Sequence, residues 1–174
     1  KVPHLFVATG ASVWGKPKEF PWTMGWQPDY QTEAAIYAKH ILKHKPDAKI
    51  AILSQHDDLG RDYVAGFRRG LGDKAASMIV AEQTYEPTSP VISSQLVALK
   101  ASGANVLALF ATPRFAIQGY VFANRLGWRP LVINNAVSSA SNIMTLASEG
   151  GSNEVVENSI SIVFLKDPND AKWS

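Results

Sequence analysis

One pattern recurs along this 174-residue chain and constrains its fold more than any other: a short unbroken apolar run, a polar loop, then apolar residues at helical spacing. The runs are Leu5 to Ala8, Lys49 to Leu53, Met78 to Ala81 with an extension toward Tyr85, Val106 to Phe110, Leu131 to Ile133, and Ile160 to Leu165. Runs without polar alternation are strands covered on both faces, which is the habit of parallel sheets. Between them lie helical stripes. The first opens at Asp29 or Gln31, carries Ala34, Ile36, Ala38, Ile41 and Leu42, and stops before Pro46. The next presents Tyr63, Val64, Phe67 and Leu71. Ser89 and Pro90 read as the cap and first position of a third, with Val91, Ile92, Leu96 and Leu99 inward. A fourth follows Pro113 and ends at Gly127, and a weaker one covers about Ser141 to Ser148. Strand and helix alternate about five times, and such crossovers are right-handed. The expected fold is α/β: an open, doubly wound, mostly parallel sheet of Rossmann-like type.

Composition narrows the function classes. With 46% hydrophobic and 18% charged residues, the chain is ordinary globular material. A net charge of +2 with scattered basic residues gives no footprint for nucleic acid. Cysteine is absent, so neither a disulfide nor a thiolate metal site can form. No apolar run approaches the roughly 20 residues a spanning helix needs, so no direct membrane insertion is expected. The chain opens on a strand-like segment rather than a signal peptide.

In sheets of this type ligands bind outside the carboxyl ends of the strands. That rule selects the loops after each run, which carry hydroxyls, amides, a few aromatics and one arginine, groups that orient a small polar molecule. The candidate ligand-binding residues are Trp26, Asp57, Leu59, Tyr85, Phe110, Thr112, Arg114, Asn134 and Asn135. Arg114 sits at a helix start, where a cation is disfavoured by the dipole. Capture of a ligand carboxylate and a solvated surface position are equal readings of it. Trp26 is open between stacking on a ligand and sealing a joint, whereas Trp14 and Trp22 read as seals. His56, Asp57 and Asp58 read as a turn with Asp58 as the helix cap rather than a metal cluster, because neighbours in sequence do not converge on one ion. His40 and His44 read as a solvated helix end.

Catalytic motifs fail one after another. Thr9 and Gly10 after a strand suggest a dinucleotide loop, but the glycines required further on are Trp14 and Lys16. No GxSxG elbow or GxxxxGK[ST] loop exists. The third run ends in Leu109, Phe110 and Ala111, without the aspartate of a phosphate-receiving domain. No enzyme, catalytic residue, metal or cofactor is expected.

Several segments, in order, carry a family likeness. They are Val2 to Ala11; Pro21 to Thr23 followed by Gln27 to Gln31; Lys49 to Gly60 with Gly66 and Phe67; Ser94 to Asn105; and Phe122 to Gly127. Together they resemble the second lobe of type I periplasmic solute-binding proteins of the Leu/Ile/Val-binding class, which serve ABC transporters. The resemblance implies that residues 1–24 close a strand of the first lobe and cross over, 25–165 form the ligand-binding lobe, and 166–174 begin the return crossover. It implies a piece of a two-lobe protein that captures a small polar or aromatic solute (amino acid, amide or carboxylate) in the periplasm or outside the cell and delivers it to a permease. A ligand-sensing regulatory or receptor domain of the same fold is the alternative. The family's tyrosine in its DDYG signature is Leu59 here, and Thr112 is the nearest match to its hydroxyl after the third strand. The stretch Asn134 to Ser138 lacks the acid that can hold a ligand ammonium, which argues against an α-amino acid. An isolated lobe exposes its cleft face, which favours a dimer and weak solute binding.

Overall fold

The computed structural model describes residues 2–165. The expected return crossover at 166–174 lies outside them. The main sheet has five parallel strands: β3 (Ile50–Gln55), β4 (Ile79–Tyr85), β5 (Val106–Phe110), β6 (Leu131–Asn134) and β7 (Ser159–Ile160), in the order β4-β3-β5-β6-β7. Every residue of β3, β5 and β6 is buried, as their unbroken apolar runs require. A separate parallel pair, β1 (His4–Val7) and β2 (Thr23–Gly25), stands apart from the main sheet, and β1 is largely exposed rather than covered on both faces.

Helices cover both faces. On one, α1 (Tyr30–His44) and α2 (Asp58–Leu71) close a core built on Ile50, Ile52, Ala108, Phe110 and Ile133. On the other, α4 (Ser93–Ala101), α5 (Pro113–Arg125), α6 (Ser141–Ala147) and α7 (Asn153–Glu157) close a core built on Leu53, Leu107, Leu109 and Val132. A one-turn α3 (Ala75–Met78) leads into β4. The chain runs from β3 to β4 on one side, then crosses back over β3 to β5. The strand order therefore reverses between β3 and β5, and a crevice is set at their carboxyl ends.

Close backbone approach explains the glycines of the second helix. A Cβ on Gly60 would stand 1.8 Å from the Gln55 carbonyl oxygen, and one on Gly66 2.2 Å from that of Gln31. α2 thus rests directly on the end of β3 and on α1. Asp62 fixes the segment after β1 to this pair: its carboxylate accepts from Ser12 N (2.7 Å), Ser12 Oγ (2.8 Å) and Gln31 Nε2 (2.7 Å).

Three local expectations are corrected. Asp57, not Asp58, caps α2, accepting from Gly60 N, while Asp58 pairs with Arg61. The third expected helix begins at Ser93 rather than at Pro90, and no side chain caps it. α5 draws the preceding loop outward, since Arg114 and Gln118 donate to the Pro90 carbonyl and Gln118 accepts from Ile92 N. The last strand is only Ser159–Ile160 rather than Ile160 to Leu165. Ile162 N donates to the Tyr37 hydroxyl, which takes the chain out of the ladder.

Candidate functional site

At the crevice between β3 and β5 a buried amide gathers three neighbouring elements. Gln55 closes β3, and its Oε1 accepts from the Tyr85 hydroxyl (3.1 Å) and from Thr112 Oγ1 (2.9 Å). Its Nε2 donates to Asp57 Oδ2 (2.5 Å), and Thr112 N donates to the Tyr85 oxygen (3.2 Å). Burial pushes the Tyr85 hydroxyl up to about 12, so it stays a neutral donor. The structure therefore brings Asp57, Tyr85 and Thr112 together around a residue that sequence reasoning did not single out. Gln55 sits just past the apolar run, and a polar residue at a covered strand end was the available signal.

A second arrangement stands at the ends of β6 and β7. Glu33, on the inward face of α1, is only 6% exposed. Its Oε1 accepts from Ala136 N (2.8 Å) and from the Tyr37 hydroxyl (2.9 Å). The Tyr37 oxygen also lies 3.0 Å from the Asn134 carbonyl. The Tyr63 hydroxyl stands beside the same carboxylate without closing a hydrogen bond to it. Burial holds the Glu33 carboxyl above the usual carboxylate range, against the opposing effect of the Ala136 N–H and the two hydroxyls. Burial and the Glu33 charge raise the phenols of Tyr37 and Tyr63 in turn. Above Glu33 opens a cavity of about 600 Å³, walled by Tyr30, Val137, Ile162 and Phe164 and rimmed by Ser139 and Asn142. Neither Glu33 nor Tyr37 stands out in the sequence, where Glu33 reads as an ordinary first-turn acid of a helix.

The remaining candidates are dispersed. Phe110 is fully buried, its ring stacked on Tyr63 (4.9 Å between centroids) and edge-on to Phe67 (5.6 Å). Tyr63 stacks in turn on Tyr30 (4.8 Å). Leu59 packs in the same core. Arg114 donates to the Pro90 carbonyl and lies over the Phe115 ring, outside the cavity lining. Asn134 Nδ2 donates to the Ser138 carbonyl, while Asn134 Oδ1 and both polar atoms of Asn135 are buried without a partner among the described residues. Trp26 is half exposed and meets Phe164 edge-on (6.0 Å), joining the segment before α1 to the segment after β7. Trp14 packs edge-on against Phe20 and His4. His56 pairs with Glu86, so His56, Asp57 and Asp58 turn to three different partners. Among the described residues no group of three or more metal-ligating side chains converges, and no helix is long and apolar enough to cross a membrane.

Comparison with known proteins places this geometry. A family model described as periplasmic binding protein matches residues 1–160. No curated protein matches the chain. Among solved structures, the chain is similar to a substrate-binding periplasmic protein from Ralstonia solanacearum, with 22% identity and a TM-score of 0.72 over 83% of this chain and 40% of that one. It is similar to a fatty acid ABC transporter substrate-binding protein from Thermomonospora curvata, with 16% identity and a TM-score of 0.70 over 90% and 39%. It is also similar to a periplasmic binding protein type 1 from Bordetella pertussis Tohama I, with 14% identity and a TM-score of 0.68 over 85% and 41%. The chain thus spans less than half the length of each of these three.

Proposed function

The chain belongs to the periplasmic binding protein family, and from that we propose that it supplies one lobe, the second, of a solute receptor that works in the periplasm and hands its solute to an ABC permease. The observation that carries the reading is the carboxyl edge of the sheet. The Gln55, Tyr85 and Thr112 cluster and the cavity over Glu33 both stand at that edge, the first at the ends of β3 and β5 and the second past the end of β6, where open α/β sheets take ligands. The solute is a small polar or aromatic molecule. This lobe offers it neutral hydroxyls and amides, an apolar wall and the acids Asp57 and Glu33, while a facing lobe supplies the remaining contacts. The transport role also draws support from the transporter protein that this chain resembles in fold. A receptor closing around its solute needs hydrogen-bonding groups and a dry wall, and this edge has both.

Titration calorimetry on the product of the complete gene, against amino acids, aromatic amides and aromatic acids, tests the reading. The expected result is saturable one-to-one binding of at least one class. Binding that leaves Thr112→Val and Asn135→Ala variants unaffected, with no solute contact at this edge, would overturn it.

A further inference from the structure

We propose that His40 and His44, one turn apart at the carboxyl end of α1, form a surface chelate for a divalent transition-metal ion, copper(II) above all. Residues four apart on a helix share one face. Here the two imidazole rings stand 4.4 Å apart between centroids, tilted by 36°. At that separation one nitrogen of each ring can reach a common ion at the roughly 2.0–2.1 Å of a metal–imidazole bond. His56 is tied to Glu86, whereas no hydrogen bond or ion pair among the described residues engages either ring of the pair. The frame beneath them is rigid. Tyr37, Ala38 and Ile41 of the same helix are buried in the core, and Lys45 N donates to the Ile41 carbonyl to close the last turn. His40 is partly buried and His44 exposed, so an ion reaches the pair from solvent.

Ligand chemistry selects the ion. Imidazole suits copper, nickel and zinc, whereas calcium and magnesium take oxygen. Copper binds a given nitrogen site most tightly of the first-row divalent ions. No third histidine or carboxylate joins the pair among the described residues, so water completes the coordination and the ion exchanges freely, unlike one in a closed four-ligand site. The charges nearby act in both directions. Lys39, Lys43 and Lys45 are exposed and repel a cation across solvent, which screens them, while the negative end of the helix dipole attracts it. The pair is separate from the solute crevice. α1 rises about 1.5 Å per residue, so His44 stands roughly 20 Å along the helix from Tyr30, which lines the cavity over Glu33. A merely solvated helix end would leave two histidines that each bind copper singly and weakly; a chelate takes one ion with both.

The test uses the complete gene product without an affinity tag and copper(II) chloride as the probe, in a buffer that does not bind copper. Calorimetry follows the affinity, and electron paramagnetic resonance counts the nitrogens on the ion. The expected result is a binding event whose spectrum carries at least two nitrogens. His40→Gln and His44→Gln should each weaken that event by about tenfold or more and remove one nitrogen from the spectrum, while His56→Gln leaves both readings unchanged. The inference is overturned by an unaltered protein that binds no copper, by pair variants that keep the full affinity and nitrogen count, or by a His56→Gln variant that loses as much as they do. If a pair variant does not fold, the spectrum of the unaltered protein decides, and fewer than two nitrogens overturns the chelate.

Discussion

Glu33 carries a cost that can be read without any ligand. Its carboxyl titrates above the ordinary value of 4.5 because burial penalises the charged form. In the range just above 4.5 the folded chain therefore holds a proton that the unfolded chain has released. The folded state binds more protons there, so stability falls as pH rises through that window. Glu33→Gln removes the titration while keeping an oxygen for Ala136 N and the Tyr37 hydroxyl. The variant and the original should melt within a small margin of each other at pH 4, with the variant gaining as pH rises above 4.5 and the difference levelling once the folded carboxyl has itself ionised. Thermal melts across that range check it; a difference in melting temperature that does not change with pH would show that Glu33 does not titrate in this window. Sequence could not reveal this residue's weight. Glu33 reads as an ordinary acid in the first turn of a helix, favoured by the dipole, and only the packing of Ala136 and Tyr63 against it shows its burial. Tyr85 and Thr112 were legible because they follow apolar runs, whereas Phe110 and Leu59 were placed in the same loops yet point into the core.

At the level of elements, the contact between α1 and α2 determines how residues 12–31 sit on the sheet's first covering layer. Gly66 lets the two backbones touch: any Cβ there meets the Gln31 carbonyl oxygen at 2.2 Å and its Cα at 2.4 Å. Neither is the free end of a side chain, so Gly66→Ala must push the helices apart and strain Gln31, which also holds Asp62 and Arg69. The expected cost is about 1–3 kcal/mol, by analogy with overpacked cores. That corresponds to a melting temperature lower by about 2–4 °C per kcal/mol, and differential scanning calorimetry measures it. An unchanged melting temperature would mean the helices have room to separate. Element identity was legible from periodicity almost throughout, because the buried strands are unbroken and the helices carry clear stripes. The misplacements have tertiary causes. The Pro90 carbonyl is claimed by α5, and Ile162 N by a tyrosine 125 residues earlier, partners that no local pattern announces.

For the molecule as a whole, the central claim is that solute is held at the carboxyl edge of the sheet, between the Gln55 cluster and the cavity over Glu33. Both are made by chain that leaves the strands there: the turn into α2, the turn into α5, the loop after β6 and the segment after β7. The opposite edge is built differently. There Asn105 N donates to the Lys49 carbonyl, Leu131 N donates to the Asn105 carbonyl, and Asn158 Nδ2 donates to that of Pro130; these bonds hold strand starts together, and none of these residues lines the cavity over Glu33. A solute bound as proposed protects one edge and leaves the other unchanged. Hydrogen–deuterium exchange on the complete gene product, with and without a solute identified by calorimetry, reads this directly. The account predicts slowed exchange at residues 55–60, 111–116 and 135–142, with no change at 47–50, 103–106 and 128–131. Protection confined to the second set, or spread evenly over both, would contradict it.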